Sequence, residues 1–132
     1  GVKLAWVINT FGDVCGWSWD TMNRPDEAFL PLLEMFDQES VVLTDYGFRC
    51  ASGTPPNVKL CKKGTWNERM AVETVFSLLT VVCKAKKLHH RAAAHLEARL
   101  GYLAAMFNTC LALFHTLHDA DPFKISIAEF SL

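Results

Sequence analysis

The first half of the chain is broken into short apolar runs, and the second half repeats its apolar residues at intervals of three and four. Lys3–Ile8 and Val14–Asp20 are rich in β-branched and aromatic residues, with Phe11-Gly12-Asp13 between them. That pattern predicts two antiparallel strands joined by a tight turn. Phe29, Leu32, Leu33 and Phe36 then fall at helical spacing, with Pro25 placed to open a helix and Pro31 inside it, which predicts a kinked helix over 26–36. Val41-Val42-Leu43-Thr44 is a continuous apolar run ending in Asp45 and reads as a strand buried on both faces, with the acid at its carboxyl edge. A Gly/Pro loop over 53–57, a short strand at Val58–Cys61 and the basic turn Lys62-Lys63-Gly64 follow.

Beyond that turn the rhythm is helical. Thr65-x-x-Glu68 is a capping box, in which the threonine hydroxyl and the glutamate each satisfy an amide of the first turn. Val72, Val75, Phe76, Leu79, Val82 and Cys83 form one apolar stripe up to the lysines at 84–87. A second, longer helix carries Leu96, Leu100, Leu103, Phe107, Cys110, Leu111, Phe114 and Leu117. Strands first and helices after, with one buried strand, predict an α/β layer structure whose sheet is covered by the C-terminal helices.

Composition narrows the class. A chain of 132 residues with 51% apolar and 20% charged residues has the material for one globular domain. The apolar run Leu100–Phe114 is interrupted by Asn108 and Thr109 and is shorter than the ~20 residues a bilayer requires, so it reads as a buried helix with no membrane role. The sequence opens at Gly1 in strand-like residues, without a signal segment, which reads as a cut through a domain. The cysteines Cys15, Cys50, Cys61, Cys83 and Cys110 are odd in number and contain no Cys-x2-Cys pair, which fits reduced thiols in the cytoplasm. Charge is unevenly placed: residues 1–58 hold 3 basic and 8 acidic side chains, whereas residues 59–99 hold 9 basic and 3 acidic. A basic middle segment suits a phosphate backbone, and equally a solvated face.

Arg69 and Glu73 lie four apart and share a helix face, where an ordinary surface ion pair is the simplest reading. The wider spacing changes that reading. Trp66-x2-Arg69-x3-Glu73-x6-Thr80 resembles the Tyr-x2-Arg-x3-Glu-x6-Lys signature of DDE-type insertion-sequence transposases. The resemblance extends over Val41–Phe48, Pro55–Cys61 and Gly64–His90, and on through Arg91, Ala98, Arg99 and Tyr102, covering nearly the whole chain.

This resemblance implies the C-terminal part of a catalytic domain with a partial ribonuclease-H-like fold, in which Asp, Asp and Glu bind two divalent metals. Asp45 is the implied second acid and Glu73 the third, holding Mg²⁺ or Mn²⁺. The implied partner is DNA, both element ends and target, with a homodimer in the intact protein. Lys62, Lys63, Trp66, Arg69, Lys84, Lys86, Lys87 and Arg91 are the implied DNA-binding residues, with Trp66 able to stack on a base or sugar. The chain departs from the family at Thr80, where the family has Lys, and at Trp66, where it has Tyr. The family's first Asp lies on an opening strand ahead of the hairpin, and that strand is missing here, which predicts an inactive fragment. Asp13 and Asp20 are the nearest substitutes, but they read as a turn residue and a strand end. His115 and His118 read as helix C-terminal capping. The alternative function is a non-catalytic DNA-binding or oligomerisation module that uses only the basic helical half.

Overall fold

The computed structural model describes residues 1–36, 40–62, 64, 68–85, 88–89 and 91–118, with residues 68, 69 and 118 described by backbone alone. The elements run β1 (Val2–Ile8), β2 (Val14–Thr21), a 3₁₀ turn (Asp26–Phe29), α1 (Leu30–Glu34), β3 (Val42–Thr44), a second 3₁₀ turn (Tyr46–Phe48), β4 (Val58–Leu60), α2 (Glu68–Val81) and α3 (Ala93–His118). The chain is therefore mixed α/β, with small sheets and C-terminal helices. It divides into two compact units, Gly1–Val7 with Gly16–Asn67, and Ile8–Cys15 with Glu68–Leu132.

The hairpin forms because Asn9 organises its turn. The Asn9 side-chain oxygen accepts from the Phe11 and Asp13 amides, both at 2.9 Å, and Gly12 supplies a φ of +89° at the tip. Asn9 N–H donates to Asp13 O at 3.0 Å, and at the open end Met22 N–H donates to Gly1 O at 3.1 Å, so the strands run antiparallel.

In the first unit, β3 pairs parallel with β4, in the register Val42 with Val58 and Thr44 with Leu60. The buried residues Leu30, Leu33 and Val58 anchor its core, with Val7, Val42, Phe48 and Leu60 packed around them. Asn57 ties the strand pair to α1, since its side-chain amide donates to Leu33 O at 2.8 Å while its own carbonyl accepts from Val42 N–H.

Three expectations change in this unit. The helix over 26–36 is two pieces, a 3₁₀ turn and then α1, so Pro31 falls in the first turn of α1, where its missing N–H costs nothing. The strand expected to be buried on both faces is only half-buried at Val42 and Leu43, with Val41 68% exposed; among the described residues β3 pairs with β4 alone. Where a single mixed sheet was expected, the described residues form two two-stranded sheets, the antiparallel hairpin and the parallel pair.

In the second unit, α2 buries Ala71, Val75, Leu78 and Leu79, and α3 buries Leu96, Leu100, Leu103, Phe107, Leu111 and Phe114. The α3 stripe matches the expected spacing except at Cys110, which is half-buried, and at its end, where Leu117 is 66% exposed. The α2 stripe is rotated from its expected position: Leu78 is nearly inaccessible, while Val72 and Phe76 are half-buried on the flank. The capping box at 65–68 lies outside the described side chains. A positive φ of 58° at Lys84 turns the chain out of α2, and Ala85 N–H reaches back to Leu79 O at 3.0 Å. Asn108 of α3 clasps the second strand, accepting from Val14 N–H at 2.8 Å and donating to Val14 O at 2.9 Å. The helix is longer than its uninterrupted apolar run suggests. Over Ala93–Leu117 it is long and apolar enough to cross a membrane by length and composition.

Candidate functional site

Asp45 leaves the carboxyl end of β3 in an extended conformation, with φ −84° and ψ 179°, and caps the following 3₁₀ turn. Its Oδ1 accepts from Gly47 N–H at 3.0 Å, and its carbonyl accepts from Phe48 N–H at 3.4 Å. The side chain is exposed. One N–H bond occupies one of the roughly four lone-pair positions of a carboxylate, so this capping role leaves oxygen density for a second partner.

Lys62 follows β4 at the same end of the parallel pair, since Cys61 N–H donates to Thr44 O at 2.7 Å. The first unit therefore brings Asp45 and Lys62 to one end of its two parallel strands, the end where open α/β sheets place ligands. Asp26 is a neighbour that the spacing argument missed. A methyl group added at Gly47 would meet the Asp26 carboxylate on one side and Asp45 Oδ1, 3.1 Å away, on the other. Asp26 is in turn paired with Lys3 at 2.6 Å. The only sequence signal for Asp26 was an acid directly after Pro25 in a first helical turn.

Thr44 Oγ1 and Asn57 Oδ1 are buried without a hydrogen-bond partner among the described residues. Each belongs to the parallel pair or its lead-in, where buried polar groups ordinarily find a partner.

In the second unit Glu73 is exposed on α2, on the side away from Ala71, Val75 and Leu78. Lys84 is exposed at the left-handed residue that ends α2, beside carbonyls whose partial negative charge favours a cation. Arg91 is exposed just ahead of α3. The side chain of Arg69 and the residues Lys63, Trp66, Lys86 and Lys87 lie outside the described residues. Asp45 belongs to the first unit and Glu73 to the second.

The two substitutes for a first acid are occupied locally. Asp13 Oδ2 accepts from the Asn9 side-chain amide at 3.0 Å within the hairpin turn. Asp20 accepts from Thr21 N–H at 2.7 Å and pairs with Arg24 at 3.3 Å, and these contacts, led by the Thr21 amide, hold its carboxyl below the usual range. Among the described residues, no three His, Cys, Asp or Glu side chains gather in a group able to hold a metal.

No family model matches the chain, and no curated protein or solved structure is significantly similar to it.

Proposed function

We propose that the chain is the C-terminal part of a DDE-type insertion-sequence transposase catalytic domain, one that cuts and joins DNA strands by metal-assisted phosphoryl transfer. The observation that carries this reading is the position of Asp45: an exposed carboxylate at the carboxyl end of a parallel strand pair, with Lys62 at the same end. The signature around Arg69 and Glu73 supports it, because Glu73 is exposed on a helix whose opposite side is committed to the core.

In this proposal Asp45 and Glu73 hold Mg²⁺ or Mn²⁺ together with a first Asp from a strand ahead of the hairpin. Their oxygen donors suit such hard cations, which keep several waters. The ions supply activation of the attacking oxygen and stabilisation of the leaving one. The protein's share is positional: Gly47 N–H fixes the Asp45 carboxylate, and α2 carries Glu73 at a set height and rotation. Lys62, Lys84 and Arg91 would meet phosphates rather than base edges, so binding would tolerate sequence and weaken as salt rises. The setting is cytoplasmic, with reduced thiols.

The test is strand cleavage in Mg²⁺ or Mn²⁺. The chain as it stands, with two of three carboxylates, should cut no DNA. A form extended by a strand carrying the first Asp should cut, and Glu73→Gln in that form should abolish cutting while leaving duplex binding within about twofold. Glu73-dependent cutting by the unextended chain would overturn the proposal that a first Asp must come from upstream. Cutting by the extended form that survives Glu73→Gln would overturn the site assignment.

A further inference from the structure

The turn after β3 sends its two aromatic side chains to different places. Phe48 packs against the core of Leu30, Leu33 and Val58, whereas Tyr46 is 55% exposed. The backbone that carries Tyr46 is held on both sides: Asp45 Oδ1 accepts from Gly47 N–H at 3.0 Å, and Tyr46 O accepts from Arg49 N–H at 3.2 Å. Side chains three apart on a 3₁₀ turn eclipse one another, so Tyr46 and Arg49 stand on the same side of it, and Arg49 is exposed as well. Among the described residues the Tyr46 hydroxyl makes no hydrogen bond and the Arg49 guanidinium no ion pair. A single exposed tyrosine is ordinary on a protein surface. This one directly follows Asp45 in sequence, shares its side of a fixed turn with a guanidinium, and lies at the end of the strand pair that also holds Lys62.

The chemistry of the turn narrows what could sit on it. The Asp26 and Asp45 carboxylates flank Gly47, so a ligand made of phosphate alone would be repelled here. An apolar protein surface would cover the ring but bury the Arg49 charge without a partner. A nucleobase meets both demands, because its flat uncharged ring stacks on an aromatic one and the phosphate next to it suits a guanidinium. A base inside a duplex is already stacked on both faces, so only an unpaired base can use Tyr46.

We propose that Tyr46 and Arg49 form a stacking site for one unpaired DNA base beside the bond to be cut, with Tyr46 under the ring and Arg49 on the adjoining phosphate. The proposal rests on the reading of Asp45 as a carboxylate of DNA cleavage. To that reading it adds a condition on the substrate: the strand is opened where it passes Asp45. The site takes any base, since every base has a π face.

The experiment is fluorescence anisotropy of the full chain with three labelled probes: an oligothymidylate, an abasic strand of the same length and a duplex. Circular dichroism checks that each variant folds. Tyr46→Ala should bind the oligothymidylate about fivefold to a hundredfold more weakly than wild type, the range for one lost stack. Tyr46→Phe should stay within about twofold, because the ring stacks and the hydroxyl does not. On the abasic strand and the duplex, Tyr46→Ala should match wild type. Arg49→Ala should weaken the oligothymidylate and the abasic strand alike, as a phosphate contact does. If Tyr46→Ala fails to fold, Tyr46→Gln carries the same expectation. Oligothymidylate binding indifferent to Tyr46→Ala, or an equal loss on the abasic strand, would overturn the stacking site while leaving the reading of Asp45 intact. A wild-type chain that binds none of the three probes would overturn both.

Discussion

At the scale of single residues, a substitution separates the capping role of Asp45 from the metal-ligand role proposed for it. As a cap it needs only an acceptor for Gly47 N–H, which an amide oxygen also supplies. As a metal ligand it needs its charge. Asp45→Asn should therefore leave the denaturation midpoint nearly unchanged, while Asp45→Ala should lose about 0.5–2 kcal/mol, the ordinary range for a missing cap. Both should abolish cleavage in the extended, active form. A chemical denaturation series alongside the cleavage assay reads both roles, and equal destabilisation by the two variants would reduce Asp45 to a turn former. Lys84 allows the same separation between its place in the fold and its proposed contact with phosphate. Its positive φ costs a side-chain-bearing residue of the order of 1 kcal/mol, which glycine avoids at some expense in unfolded-state entropy. Lys84→Gly should thus stabilise the chain by up to about 1 kcal/mol. If Lys84 also contacts phosphate, the same variant should bind duplex DNA more weakly and with a shallower salt dependence. Thermal melting and a fluorescence titration at several salt concentrations would show the two effects moving in opposite directions.

At the scale of elements, the sequence announced what depends on local pattern and was silent on what depends on partners. The hairpin was legible because β-branched runs flank a Gly-Asp turn, and the α3 stripe because six buried residues keep the helical interval. The rotation of α2 was not legible, because Met70, Val72, Phe76 and Val81 offer a second apolar arc beside Ala71 and Leu78, and only packing decides which arc is buried. The kink expected at Pro31 became a change of helix type, since a 3₁₀ turn lets Pro31 fall where no amide is needed. Asn108 illustrates the same limit. In the sequence it merely interrupts an apolar run, yet in the fold its amide takes the place of a neighbouring strand at Val14. Val14 is buried, so Asn108→Leu would strand its N–H and C=O and should cost about 1–3 kcal/mol despite leucine's better helix propensity. Urea denaturation measures this, and a variant as stable as wild type would show that water replaces the clasp.

At the scale of the whole molecule, the chain separates into two compact units, one holding Asp45 and Lys62, the other Glu73, Lys84 and Arg91. Only the resemblance to a transposase family linked Asp45 with Glu73, and it gave no sign of Asp26 beside Gly47, a neighbour that chain separation hides. The proposed chemistry requires one metal site to draw on both units at once. Iron-directed backbone cleavage tests that requirement most directly: Fe²⁺ replaces Mg²⁺, peroxide and ascorbate generate radicals at the bound ion, and the chain is cut beside its ligands. The account predicts cuts next to both Asp45 and Glu73, both suppressed by excess Mg²⁺ and both lost in either Asp45→Asn or Glu73→Gln. Cuts at only one of the two positions, or cuts beside Asp45 that persist in Glu73→Gln, would contradict it.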